Sequence, residues 1–273
     1  MEKLLRKKKN TGASSELAKV IGLERIDKKW LDKHPKLKIL GIAATGLDRV
    51  DLQECSKRGI KIISLRDYPV FLRTINATAE HTWGLILSLV RNIPWAYGHV
   101  LKGNWDRERW RGHDLQGKTI LVVGVGRIGH KILAYARAFG MKVLHINTKD
   151  KKKLLTLLPN ADIVTLHIHL ENNENYFDKD CFKKMKQGSY FINTSRGGII
   201  DEDALLLALQ QKKIARAGLD VVRGEPDKIN KKLLKQPNLI VTPHLGGATF
   251  EAMEKTRLFI EQKVNKELKK YGI

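Results

Sequence analysis

Residues 124–129 read Gly124-Val125-Gly126-Arg127-Ile128-Gly129, a G-x-G-x-x-G whose chemistry is the binding of a pyrophosphate. The first glycine allows a tight turn, the second lets the backbone approach the phosphates, and the third lets helix and strand pack closely. Exposed N–H groups at a helix start then receive the anion. Further along stand a guanidinium, a carboxylate and an imidazole: Arg196, Glu225 and His244. An arginine can grip a planar carboxylate bidentately. A histidine moves a proton near neutral pH, and a carboxylate beside it would orient it and favour its charged form. Each also has a plainer reading. The glycines could form a turn that binds nothing, and Arg196 could brace a loop through Asp201. Glu225 could be a solvated residue ahead of Pro226, and His244 a satisfied loop histidine.

These residues need strands and helices to hold them. Ile120–Val123 is a short branched apolar run, expected as a strand buried on both faces. Ile132, Leu133, Ala136 and Phe139 then recur at helical spacing until Gly140 stops the helix, and Val143–Ile146 follows as a second strand. Strands are further predicted at Ile163–His167, Tyr190–Asn193, Ala215–Asp220 and Leu239–Thr242, alternating with helices. That alternation predicts an α/β fold with a doubly wound parallel sheet of Rossmann type. Ligands of such a sheet bind beyond the carboxyl ends of its strands. The glycine turn, Asn147, His167, Arg196, Asp220, Glu225 and His244 all fall there. Arg196, Glu225 and His244 follow three consecutive strands, so they can converge.

Ahead of this region, Val20–Leu23, Lys38–Ala43 and Lys61–Ser64 are predicted strands, with helical turns over Asp27–His34 and Leu52–Arg58. The first sixteen residues are polar, expected as a frayed or partial element. Asn76–Asn92 predicts a helix with Trp83, Leu85, Ile86, Leu89 and Val90 on its apolar face, broken by Pro94. A second helix is expected over Trp95–Lys102. Residues 104–111 mix tryptophan with arginine, which suits a nucleic-acid platform or a subunit-contact arm. The subunit arm is preferred, because nothing else suggests base reading. Phe250–Lys269 reads as an amphipathic helix.

Lys+Arg number 51 against 29 Asp+Glu, a formal charge of +22, but the lysines are dispersed, so a solvated surface is expected rather than a nucleic-acid partner. Cys55 and Cys181 are the only cysteines in 273 residues, too few for a disulfide framework. With no apolar run of spanning length and no secretory segment, no membrane partner is expected and the cytoplasm is the expected compartment. His167 and His169 would point to one side of a strand, but no third ligand is spaced to join them, so no metal is expected.

The segments LKILGIAATGLDRVDL, ATAEHTWGLILSLVRNI, LQGKTILVVGVGRIG, FINTSRGGIIDEDAL, AGLDVVRGEP and TPHLGGAT, in this order, resemble the D-isomer-specific 2-hydroxyacid dehydrogenases over about Leu37–Thr249. The resemblance implies hydride transfer between a nicotinamide cofactor, NAD(H) or NADP(H), and a small D-2-hydroxy or 2-keto acid. Phosphoglycerate leads, with glyoxylate or hydroxypyruvate as alternatives. It casts His244 as the acid/base, Glu225 as its carboxylate partner and Arg196 as the substrate-binding arginine. Ala44, Thr45 and Gly46 match the loop whose N–H groups hold the substrate carboxylate, and Asp220 the contact to the nicotinamide carboxamide. The expected cofactor-binding set is Gly124, Gly126, Arg127, Ile128, Gly129, Asn147, His167, Thr194, Asp220, Gly246 and Gly247. The family's plan further implies a homodimer through the nucleotide domain and two domains with the active site between them. Residues 79–247 are expected to bind the dinucleotide. Residues 1–78 with 248–273 are expected to form a smaller flavodoxin-like substrate domain, short at its front.

Two departures bear on this. Asn147 stands where the family usually carries an aspartate for the adenosine ribose, which lifts the electrostatic bar to NADP(H) and predicts relaxed cofactor choice. Ile168-His169 replaces the valine-proline expected after the strand histidine. The rival class is a dinucleotide-sensing protein that binds the cofactor without turnover.

Overall fold

The computed structural model describes residues 16–271 apart from positions 23 and 149. Most of the polar front segment therefore lies outside the described residues, as do Leu23 and Lys149. The chain divides into two compact units, residues 76–248 and the residues on either side of them.

The flanking unit begins with β1 (Ala18–Ile21), α1 (Lys28–Asp32), β2 (Ile39–Ile42), α2 (Leu52–Lys57), β3 (Lys61–Ser64) and the short α3 (Pro69–Leu72). Its three strands are parallel in the order β1-β2-β3. β1 lies earlier than the predicted Val20–Leu23, pairing Ala18 with Ile39 and Ile21 with Ile42. A run of apolar residues this short does not fix its own register; the pairing with the wholly buried β2 does. Asp27 and Asp51 start α1 and α2 by accepting from the N–H groups of Trp30 and Glu54.

The 76–248 unit opens on α4 (Ala77–Val90) and α5 (Ile93–Val100). The break between them is Asn92, at φ +59, and not Pro94, which sits in the first turn of α5. A proline is tolerated there because that N–H has no partner within a helix. Then come β4 (Thr119–Val123), α6 (Arg127–Ala138), β5 (Lys142–Ile146), α7 (Lys151–Leu157), β6 (Ile163–Leu166), α8 (Lys179–Lys184), β7 (Ser189–Asn193), α9 (Glu202–Gln210), β8 (Ile214–Leu219), α10 (Lys231–Leu234) and β9 (Leu239–Val241). Phe139 caps α6 rather than continuing its apolar face; it is 44% exposed and lies against Trp83. All six strands are parallel in the order β5-β4-β6-β7-β8-β9, the doubly wound arrangement. One apolar cluster on each face of the sheet closes it, Leu121, Val164 and Phe191 on one and Ile120, Ile163 and Ile192 on the other. The chain ends in α11 (Phe250–Leu268), whose Ile260 and Val264 are buried with Ile39 in the flanking unit.

The register matters most at the carboxyl edge. Val123 pairs with Ile146 and Leu166, Leu166 with Asn193, Asn193 with Leu219, and Leu219 with Val241. The next residues along these strands are Gly124, Asn147, His167, Thr194, Asp220 and Thr242, which therefore form one row beyond the sheet. Backbone bonds carry the ladder one step further there, from Gly124 N–H to Ile146, His167 N–H to Val123, Asp220 N–H to Asn193 and Thr242 N–H to Leu219. β6 ends at Leu166, so His167 and His169 lie past the strand and not on one of its faces.

Candidate active site

The glycine turn links β4 to α6. Gly124 lies at φ +95, and a Cβ there would come within 2.3 Å of the His167 carbonyl oxygen. A Cβ on Gly129 would come within 2.1 Å of the Gly124 oxygen. Both glycines are therefore required by the protein's own packing. Gly126 is different: it is exposed, has a negative φ of −87°, and a Cβ on it would meet nothing within 4 Å. The chain's own packing does not require a glycine here, which fits a pyrophosphate laid over the turn. Arg127 and Ile128 open α6. Burial lowers the Arg127 pKa from its ordinary value, but a guanidinium keeps its charge at neutral pH.

Asn147 Oδ1 accepts from the Val125 N–H at 3.2 Å. The acceptor expected to face a ribose is thus tied to the turn by one hydrogen bond, with its second lone pair and the amide N–H2 still to be used. His167 Nε2 lies 3.0 Å from Thr165 Oγ1, while its Nδ1 is buried with no hydrogen-bond partner among the described residues. Burial pushes the His167 pKa down to about 3, so the ring is neutral. A neutral ring with an orphaned nitrogen beside the glycine turn suits a polar group of a bound nucleotide.

Arg196 is placed by the tail of β7. Asn193 Oδ1 accepts from the Ser195 N–H and its Nδ2 donates to the Arg196 carbonyl, while Ser195 Oγ donates to the Leu166 carbonyl at 2.6 Å. The Arg196 guanidinium donates to the Ser195 carbonyl. Asp201 caps α9 by accepting from the Ala204 N–H. A Cβ on Gly197 would sit 2.1 Å from the Val222 carbonyl carbon, so this loop presses directly on the loop after β8. That second loop carries Glu225.

Glu225 Oε1 and His244 Nδ1 are 2.5 Å apart, and Glu225 Oε2 accepts from the Val222 N–H. A carboxylate accepts, so Nδ1 carries the proton and Nε2 is the imidazole's other working atom. The loops after β8 and β9 thus bring together the carboxylate and imidazole that the sequence places on neighbouring strands. Asp220 is buried, and both its oxygens are engaged. Oδ1 accepts from Thr242 Oγ1 at 2.6 Å and the Leu245 N–H at 2.7 Å, and Oδ2 accepts from the Gly246 N–H at 2.7 Å. Burial pushes its pKa up, but hydrogen bonds from His81, Thr242, Leu245 and Gly246 outweigh this and hold the carboxyl below its ordinary range. Gly247 follows, exposed. Thr194 Oγ1 lies 2.8 Å from Thr82 Oγ1 of α4. Ala44, Thr45 and Gly46 form the bend after β2 of the flanking unit, half-buried.

His81 and Thr242 escaped the sequence reading. Both are ordinary residues in their local context, and only the folded chain gives them a shared partner in Asp220. Among the described residues no group of three or more His, Cys, Asp or Glu is arranged to hold a metal ion.

A parallel sheet whose carboxyl edge carries a glycine turn, a guanidinium and a carboxylate–imidazole pair defines a dinucleotide-binding fold of Rossmann type. Residues 83–246 match the model for the D-isomer specific 2-hydroxyacid dehydrogenase NAD binding domain. The chain belongs to the D-isomer specific 2-hydroxyacid dehydrogenase family. It is 40% identical to a Bacillus subtilis D-3-phosphoglycerate dehydrogenase over 240 residues, covering 84% of this chain and 45% of the relative, and so spans about half the length of that enzyme. It is 35% identical to a Thermotoga maritima hydroxypyruvate reductase over 243 residues, covering 85% and 78%. Among solved structures it is similar to an Aquifex aeolicus D-lactate dehydrogenase complexed with NAD and lactic acid. There the TM-score is 0.76 at 28% identity, covering 92% of this chain and 83% of that one.

Proposed function

We propose that the protein is a nicotinamide-dependent reductase and dehydrogenase of a small D-2-hydroxy or 2-keto acid, with the phosphorylated three-carbon acid of the phosphoglycerate type as its leading substrate. The observation that carries the reading is the 2.5 Å Glu225–His244 pair on the carboxyl edge that also bears the glycine turn. The cofactor, when bound, supplies or accepts the hydride. Gly124, Gly126, Arg127, Ile128 and Gly129 hold its pyrophosphate, with Asn147, His167, Thr194, Asp220, Gly246 and Gly247 along the same edge. Arg196 binds and orients the substrate's carboxylate and keto oxygen, turning orientation into rate. In the flanking unit, the backbone N–H groups of Ala44, Thr45 and Gly46 suit a carboxylate. In reduction His244 donates the Nε2 proton to the developing alkoxide, and in oxidation it takes the hydroxyl proton; Glu225 holds the ring through Nδ1. The high positive charge suits a phosphorylated acid, while relatives named for hydroxypyruvate keep that alternative in the test.

The protein acts as a homodimer through its nucleotide domain. Exposed Ile93, Tyr97, Val100, Leu101 and Trp105 on and after α5 support this reading. Cytoplasmic residence is supported by two free, buried cysteines, and no described helix is long and apolar enough to cross a membrane. The deciding experiment is a panel of phosphohydroxypyruvate, hydroxypyruvate and glyoxylate with NADH or NADPH, followed by nicotinamide absorbance. Turnover of at least one 2-keto acid is expected. Cofactor binding without turnover on any of them would favour a dinucleotide sensor instead.

A further inference from the structure

His244 has φ +56, in the left-handed region that side-chain-bearing residues rarely adopt. Its backbone is fixed on both sides. Its own N–H lies 2.9 Å from the carbonyl oxygens of Asp220 and Thr242. The N–H groups of the next two residues, Leu245 and Gly246, are gathered by the Asp220 carboxylate. The conformation of His244 thus depends on where Asp220 and Thr242 are held.

Both are met by one side chain from α4. His81 Nε2 lies 3.0 Å from Thr242 Oγ1 and 3.1 Å from Asp220 Oδ1. The proton order follows from donor chemistry. Asp220, ionised, only accepts, so Thr242 spends its one hydroxyl proton on Oδ1 at 2.6 Å. Thr242 Oγ1 can then only accept from His81, and Nε2 carries a hydrogen shared between the hydroxyl and the carboxylate. The first turns of α4 touch neighbouring loops in the same way: Thr82 meets Thr194, and Thr78 Cγ2 lies 3.2 Å from the Cβ position of Gly246. We infer that His81 is a positioning residue, whose Nε2–H locks Asp220 and Thr242 and thereby holds His244 in its left-handed conformation. The inference rests on the reading of His244 as the acid/base.

The test compares the full chain with His81→Gln, which keeps an N–H donor near the Nε2 position, and His81→Leu, which removes it. Amide hydrogen exchange of the 242–247 segment is the first readout. In His81→Leu it should quicken about tenfold or more while the β4 and β7 amides stay protected, and His81→Gln should match the parent. Kinetics is the second readout. His81→Leu should lower kcat by roughly ten- to a hundredfold through misplacement of the imidazole. His81→Gln should restore kcat to within about threefold. Parent-like exchange in His81→Leu overturns the inference, as does equal impairment in His81→Gln. Should His81→Leu fail to fold, Thr242→Val removes the hydroxyl that His81 and Asp220 share and must quicken the same amides; if it leaves them protected the inference falls. A parent that turns over no 2-keto acid would sink the proposed activity, while the exchange comparison would still decide the role of His81.

Discussion

Gly126→Ala separates what the protein needs from what its ligand needs. At φ −87° and ψ −160°, with nothing within 4 Å of the added Cβ, alanine fits the ligand-free chain without strain. Its unfolded state loses conformational freedom, so ligand-free stability should hold or rise by about 0.4–1 kcal/mol. Bound pyrophosphate would have to move off the new methyl, losing one or two charge-assisted hydrogen bonds from the turn. At about 1.5–3 kcal/mol, the cofactor Kd should weaken by roughly 10- to 150-fold. Gly129→Ala is the contrast. Its Cβ would lie 2.1 Å from the Gly124 oxygen, so the turn must shift before any ligand arrives. Overpacking of that kind lowers ligand-free stability by about 1–3 kcal/mol. Thermal unfolding without cofactor and fluorescence titration with NADH and NADPH give both quantities. If Gly126→Ala binds either cofactor as tightly as the parent does, the placement of the pyrophosphate over Gly126 is wrong.

Asn147 carries no negative charge to repel a 2′-phosphate, so NADP(H) should be accepted alongside NAD(H). Asn147→Asp can still accept from Val125 but adds a charge, and should shift kcat/KM and Kd toward NAD(H) by about 1 kcal/mol or more. A parent that already rejects NADPH by several orders of magnitude would refute this. Asp162 ties Lys186 to the Thr119 N–H at the start of β4. Burial raises its pKa, but those two partners outweigh burial and hold the carboxyl below its ordinary range. Its stabilisation is therefore complete above the unfolded carboxyl's pKa and is lost as pH falls through the folded one. Asp162→Asn should cost about 1 kcal/mol at pH 7, with the gap to the parent closing below about pH 4 in denaturant titrations. A gap that persists unchanged at pH 3 would assign the effect to packing.

The six-stranded sheet was legible because its strands are short branched runs between helices, and such an alternation has one common solution. The meeting of Glu225 and His244 was legible too, since consecutive strands on that half of the sheet are neighbours. β3 falls on Lys61–Ser64, as the sequence predicts, whereas β1 is displaced because its few apolar residues do not fix a register alone. Asn147 was legible as a missing carboxylate, yet its oxygen's attachment to Val125 depends on the turn's geometry. His81 carried no local signal at all. It lies on a helix among apolar residues, and its partner Thr242 is 161 positions away. Residues that act on a site through another residue are defined by tertiary contact, and spacing in the chain does not reveal them.

The central claim is that the Nε2 atom of His244 moves the proton. His244→Asn tests it with little else disturbed. Asparagine tolerates the left-handed backbone at φ +56 and keeps an N–H near the Nδ1 position to donate to Glu225, but has no atom equivalent to Nε2. The measurement is single-turnover hydride transfer to the best 2-keto acid, with cofactor Kd determined in parallel. The rate should fall on the order of a hundredfold or more, with cofactor Kd within a fewfold of the parent. A His244→Asn protein that transfers hydride at the parent rate would contradict the account.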